Sequence, residues 1–245
     1  MSTTLPLPSK AASTFKPAPR LTLHNTNTLA QAHAHALIFG GTKVGKTTTA
    51  VSICDPKDVV IVTTQPEEQL AHLKKLNIPY VRARDGKELD QALDSPRALF
   101  GPDFKALVID DLTEAAEFYV QMFEGTSKDA RQVYKAMQQH LRTKLAYLLE
   151  QDYHVITTAL ERSLSDEFNV QWIQPDLPPS AAGLVTAKMS FVFYLTADHK
   201  LITRRDMSRR IMAGNRLPKD KVDVFKLEEE ADLAKLWSKF QGAIA

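Results

Sequence analysis

The feature that most constrains this chain is the run Gly40-Gly41-Thr42-Lys43-Val44-Gly45-Lys46-Thr47, followed by Thr48. It satisfies G-x-x-x-x-G-K-[ST] and lies between a short apolar run, Ala34 to Phe39, and a stretch from Lys46 to Ile53 that reads as a helix. Each residue type has its own reason to be there. Gly40 and Gly45 let the backbone turn tightly, so that the N–H groups of Gly41, Thr42, Lys43, Val44 and Thr48 approach phosphate oxygens. The start of the following helix adds partial positive charge. Lys46 reaches the β- and γ-phosphates, and the Thr47 hydroxyl is a ligand for Mg²⁺. The expected ligands are therefore ATP and Mg²⁺.

Such a loop needs an acid at the end of a neighbouring strand to hold the metal. Leu107-Val108-Ile109-Asp110 supplies four consecutive positions of that kind, three apolar and then the carboxylate, so Asp110 is the second expected metal residue. Asp111 beside it, or Glu114 one helical turn on, is placed either to polarise an attacking water or to cap the next helix.

Around these motifs the pattern alternates strand and helix. Val59 to Thr64 is a β-branched run of the buried parallel type. Glu67 to Leu76 reads as a helix, with Leu70, Leu73 and Leu76 on one face, and Tyr80 to Arg84 as a strand. Asp129 to Gln151 reads as a long helix with Tyr134, Met137, Leu141, Leu145 and Leu148 inward. His154 to Ala159 and Met189 to Thr196 are further strands, the second turning through Asp198-His199 into Leu201 to Arg205. Lys226 to Phe240 reads as a closing helix. The expected fold class is α/β, a mostly parallel sheet with helices on both faces. Residues 1–29 form an expected flexible arm, 30–225 the core and 226–245 a C-terminal helix.

Composition narrows the classes further. The single Cys54 excludes a disulfide framework and a multi-cysteine zinc site. No apolar run approaches the roughly 20 residues of a membrane helix, so no membrane partner is expected. A net charge of +2 excludes a wholly basic nucleic-acid binder. The arm has no acidic residue, but prolines 6, 8, 17 and 19 argue against an amphipathic targeting helix, which leaves a cytoplasmic location as the expectation. His33 and His35 share a strand face without a third ligand nearby in sequence, which argues against a metal site there.

Several phosphate-loop families lack their marks here. The residue five before Lys46 is Gly41, where partition ATPases have lysine, and the N-K-x-D of small GTPases is absent. Monophosphate kinases need substrate arginines that are not spaced convincingly after Asp110. AAA+ ATPases carry Asp-Glu where this chain has Asp110-Asp111, and a helical lid for which the remaining chain is too short, so this group is set aside. From Leu37 to about Val224 the chain resembles the compact RecA-like ATPases encoded by bacteriophages, including their core-only single-strand annealing proteins. The resemblance rests on GGTKVGKTTTA, on LVIDDLTEAAEF from Leu107, on HVITTALE from His154, and on FVFYLTADHKLITRR through AGNRLP, ending at Pro218. It implies a RecA-like fold and ATP-dependent binding of single-stranded DNA, with annealing or strand exchange in phage recombination. It also implies a homo-oligomer, ring or filament, in a bacterial host's cytoplasm, with a single-stranded-DNA-binding protein as a further candidate partner.

Two departures bear on hydrolysis. The family's glutamate after the second strand is replaced by Thr64-Gln65-Pro66, which leaves Glu67 as the nearest candidate base. Its late Lys-x-Arg, which reaches a neighbour's γ-phosphate, is here Gly214-Asn215-Arg216, with Arg216 alone retained. Slow turnover is expected. For DNA, Lys200, Arg204, Arg205, Arg209, Arg210, Arg216, Lys219 and Lys221 face only Asp206 and Asp220 in the same stretch. Ser163 to Ala187 reads as a long loop in which Phe168 and Trp172 offer stacking faces and Lys188 a charge. Phe15-Lys16-Pro17-Ala18 resembles an F-x-x-A tether between neighbouring subunits. The rival expectation is a nucleotide-gated interaction protein that does not handle DNA.

Overall fold

Buried parallel strands have no solvent face, so every residue must find an apolar partner above or below the sheet. The strands of this chain do so by alternation. Leu37, Phe39, Val60, Val62, Leu107 and Ile109 pack into one apolar layer. Ala36, Ile38, Val59, Ile61, Ala106 and Val108 pack into the other. The computed structural model describes residues 33–125, 129–165 and 167–244, and residues 31–245 make one compact unit. The F-x-x-A motif and the arm lie outside the described residues.

The chain runs β1 (His35–Gly40), α1 (Lys46–Val51), β2 (Val59–Thr63), β3 (Tyr80–Arg82), α2 (Gly86–Asp94), α3 (Pro96–Phe100), β4 (Ala106–Asp110) and α4 (Leu112–Glu124). It continues with α5 (Ala130–Leu149), β5 (His154–Ser165), β6 (Gln171–Pro175), α6 (Pro179–Lys188), β7 (Phe191–Leu195), β8 (Lys200–Ile202), β9 (Gly214–Asn215), β10 (Glu228–Glu230) and α7 (Leu233–Ile244). The spatial order is β10-β8-β7-β1-β5-β4-β2-β3, with β6 on β5 and β9 on β7. From β3 to β7 the strands are parallel, while β8 and β10 are antiparallel additions at one edge. The α/β class and the mostly parallel sheet are therefore as the sequence predicts. The key topological fact is that β5 separates the strand leading into the phosphate loop from the strand carrying Asp110.

Several local readings are corrected. The buried face of α5 begins at Val133, whereas Tyr134 is 45% exposed, a shift of one residue that leaves the rest of the stripe in place. Residues 67–76 are 3-10 helix rather than α, which suits leucines recurring every three residues, and Leu76 is exposed. The long loop of 163–187 is largely structured. The last residues of β5 pair with β6 as a hairpin, and α6 follows. Residues 228–230 are an edge strand rather than helix. Glu229 points inward to Lys239 at 2.7 Å, while Glu228 and Glu230 stay exposed and charge the edge. The closing helix α7 then covers the sheet, with Phe240 4.8 Å and Trp237 6.1 Å from the Phe191 ring.

Candidate nucleotide-binding site

The loop after β1 turns through two left-handed residues, Lys43 at φ 61° and Gly45 at φ 95°. Only glycine adopts the second without strain, and the His199 ring lies 3.2 Å from where a Gly45 side chain would start. Gly40 is needed for a different reason. A Cβ there would stand 2.5 Å from the Leu195 carbonyl oxygen of the neighbouring strand β7. The motif's two fixed glycines thus answer to a turn and to a close strand approach.

Lys46 opens α1 and is buried, with Nζ donating to Gly41 O at 2.6 Å and Gly40 O at 3.1 Å. Burial lowers its pKa, and Asp111, Asp110 and Glu161 act against that. The Thr47 hydroxyl donates to Asp110 Oδ2 at 3.1 Å, so the two residues expected to share Mg²⁺ are adjacent. Their hydroxyl and carboxylate oxygens are the hard donors this cation prefers, and the site fits it. The register of β4 and β5 brings a further residue to Asp110, because the Thr158 hydroxyl donates to Oδ1 at 2.5 Å.

The other acids have distinct partners. Asp111 caps α4, its Oδ1 accepting from Glu114 N at 2.8 Å, and its Oδ2 accepts from Gln65 Nε2 at 3.2 Å. Burial raises its pKa to about 6. Glu114 accepts from the same Gln65 amide at 2.7 Å. Glu67 is exposed and accepts from the Tyr80 hydroxyl at 3.2 Å, on the strand beyond β2. Glu161 ends up against the loop. Its Oε1 is 3.7 Å from the position of a Gly41 Cβ, and the Tyr194 hydroxyl neighbours it, with a pKa pushed up to about 12 by burial and by that carboxylate.

The structure therefore gathers Lys46, Thr47, Asp110 and Asp111 and places Glu67 to one side. Arg216 lies at the other end of the sheet. Its backbone N–H donates to Ser190 O at 3.1 Å, just before β7, whereas the loop follows the far end of β1. Thr158, Gln65, Glu161 and Tyr194 are site residues that sequence reading missed. Only strand order brings them in, although the HVITTALE segment marked the strand that bears two of them.

The residues expected to touch DNA are also spread out. Phe168, in the turn between β5 and β6, is 77% exposed. The Arg205 guanidinium lies 4.2 Å over the Trp172 ring. Arg205 and Arg216 line a cleft of about 460 Å³ with Gln174, Thr186 and Asn215. Lys188 ends α6. Arg210 holds a left-handed turn at φ 56°. The basic stretch is less one-sided than its sequence. Arg209 pairs with Asp206 at 3.6 Å and with Glu228, and Arg204 approaches Asp223 at 3.8 Å. No helix among the described residues is long and apolar enough to cross a membrane.

A protein-family model described as the AAA domain matches residues 32–217. No curated protein matches the chain. The family match overturns the exclusion of the AAA group drawn from Asp110-Asp111 and the missing lid. The matched region contains β1, its phosphate loop, the interposed β5 and the acid-bearing β4. On a match that covers most of its length, this chain belongs to the AAA domain family of P-loop ATPases.

Proposed function

We propose that this ATPase domain binds single-stranded DNA under the control of its nucleotide and promotes annealing or strand exchange of the kind phages use in recombination. ATP is held by residues 40–48, and Thr47 and Asp110 would hold Mg²⁺. That ion, when bound, neutralises phosphate charge. Lys46 binds the phosphates.

The observation that carries the reading is the continuity of β5. One strand contains Thr158, bonded to Asp110, then Glu161 against the phosphate loop, and then residues 161–165, which pair with β6 and its Trp172. A change at the nucleotide is thereby linked to an exposed aromatic and to an arginine-stacked tryptophan, groups suited to bases and phosphates. Among the described residues, the cleft beside them is lined by arginines and by no acidic residue. Arg216, remote from its own chain's loop, would serve a neighbouring copy's nucleotide in a homo-oligomer, and a bacterial cytoplasm is the fitting location.

The test is titration of the protein into labelled single-stranded oligonucleotide, with and without ATP and Mg²⁺, beside Lys46→Ala. Salt-sensitive binding that needs nucleotide and is lost in the variant supports the reading. No binding at moderate salt in any nucleotide state overturns it. That outcome would favour a nucleotide-gated interaction protein, a reading supported by the ion pairs that occupy Arg204 and Arg209.

A further inference from the structure

We propose that Glu161 is the general base of the nucleotide site, with Oε2 accepting the proton of the water that attacks the γ-phosphorus. The proposal rests on the ATPase reading above and names a residue that neither motif contains.

Position is the first ground. The register pairs Leu160 with Gly40, so Glu161 falls beside Gly41, and Oε1 lies 3.7 Å from where a Gly41 Cβ would stand. Gly41 O is also the nearer acceptor of the Lys46 ammonium, at 2.6 Å. The lysine of this motif addresses the β- and γ-phosphates. A carboxylate beside Gly41 therefore faces the γ end of the nucleotide.

Hydrogen-bond accounting is the second ground. Glu161 Oε2 is buried with no hydrogen-bond partner among the described residues. A buried carboxylate oxygen without a donor is costly, and functional sites are where such a group is retained. The neighbouring acids are engaged. Asp110 accepts from Thr47 and Thr158, Asp111 from Glu114 N and Gln65, Glu114 from Gln65, and Glu67 from Tyr80. The Tyr194 hydroxyl of β7 neighbours the Glu161 carboxylate, and Oε2 remains for the water.

The step balances without another reagent. The water oxygen bonds to the γ-phosphorus while the bond from that phosphorus to the β–γ bridging oxygen breaks. ADP departs with the electron pair, and the water's proton passes to Oε2 and then to solvent.

The experiment compares the full chain with Glu161→Gln in phosphate release and in binding of ADP and a β,γ-imido ATP analogue. Turnover should fall by about 100-fold or more. The imido analogue should bind several-fold tighter, because a negative charge facing the γ-phosphate is gone, and ADP affinity should stay within about twofold. Tyr194→Phe keeps the carboxylate but removes the polar hydroxyl beside it, and should lower turnover by about 3- to 10-fold without changing the ADP-to-analogue preference. Glu161→Gln turnover within about threefold of wild type overturns the proposal. So does an unchanged nucleotide preference, or a loss of ADP binding that matches the loss of turnover. If Glu161→Gln does not fold, an unimpaired Tyr194→Phe overturns it. Wild-type protein that binds ATP yet releases no phosphate overturns the hydrolysis reading as well. Normal wild-type turnover that survives in Glu161→Gln overturns this proposal alone.

Discussion

The Thr158 hydroxyl donates to Asp110 Oδ1 at 2.5 Å, joining β5 to the acidic end of β4 inside the sheet. Both residues are buried, so the bond is protected from exchange with water. Thr158→Val should cost about 1–2 kcal/mol of stability and should lower ATP affinity measured in the presence of Mg²⁺. The affinity measured in EDTA should change little. Paired titrations with and without the cation separate the two effects.

Gly40→Ala tests the close approach of β1 and β7. Its methyl would stand 2.5 Å from the Leu195 carbonyl oxygen, and that oxygen belongs to backbone that cannot rotate away. A loss of about 1–3 kcal/mol is expected, together with weakened nucleotide binding as the loop is displaced. Urea unfolding gives the first quantity and nucleotide titration the second.

Acid should destabilise the fold through two histidines at the start of the sheet. Burial lowers the pKa of His35 and His154 from 6.5 to about 4, and His154 Nδ1 must stay unprotonated to accept from Ala34 N at 2.7 Å. Groups with depressed folded pKa values take up protons on unfolding, so their contribution is lost as pH falls from about 6.5 towards 4. Asp111 works in the opposite sense. Its pKa is raised from 3.8 to about 6, so its protonated form favours the folded state and its contribution is lost as pH rises through that window. Two histidines outweigh one carboxyl, and a net loss of about 1–2 kcal/mol between pH 7 and pH 5 is expected after allowance for solvent screening. Urea midpoints at the two pH values check it, and His35→Leu should reduce the difference.

Phe168→Ala separates binding from folding. At 77% exposure the ring contributes little burial, so stability should stay within about 0.5 kcal/mol. If the hairpin receives bases, oligonucleotide affinity should fall by about 5- to 100-fold, the range of one stacked base. A melting curve and a binding isotherm on the same preparation read both.

What the sequence made legible was local chemistry. The glycines, Lys46 and Thr47 act within one loop, and Asp110 is announced by the apolar strand before it, so each can be read without knowing its neighbours. Thr158, Gln65 and Glu161 belong to the site only because β5 lies between β1 and β4 and because β2 ends beside Asp111, and no short-range pattern encodes strand order. The β6 strand was hidden for a related reason. Gln171 to Pro175 is only partly buried and mixes polar with apolar residues, so nothing in its composition separates it from loop. In α5 the periodicity predicted the stripe, and Tyr134, adjacent to Val133, was apolar enough to be mistaken for its first member. The AAA membership was missed because the Asp-Glu pair and the lid were taken as required, whereas the family model matches residues 32–217 with Asp110-Asp111 in place.

Arg216 and the phosphate loop occupy opposite ends of the same parallel strands, which gives the subunit a direction. A twofold axis makes contacts reciprocal, so an antiparallel pair would present each copy's Arg216 to the other's loop and close at two subunits. If Arg216 instead serves another copy's nucleotide in a head-to-tail assembly, the copies point the same way and each nucleotide is shared by a donor and a recipient. A subunit at an open end then has either an unserved nucleotide or an idle arginine. Closure into a ring removes such ends, whereas a filament keeps two that are chemically unlike, and it would grow and shed subunits differently at each.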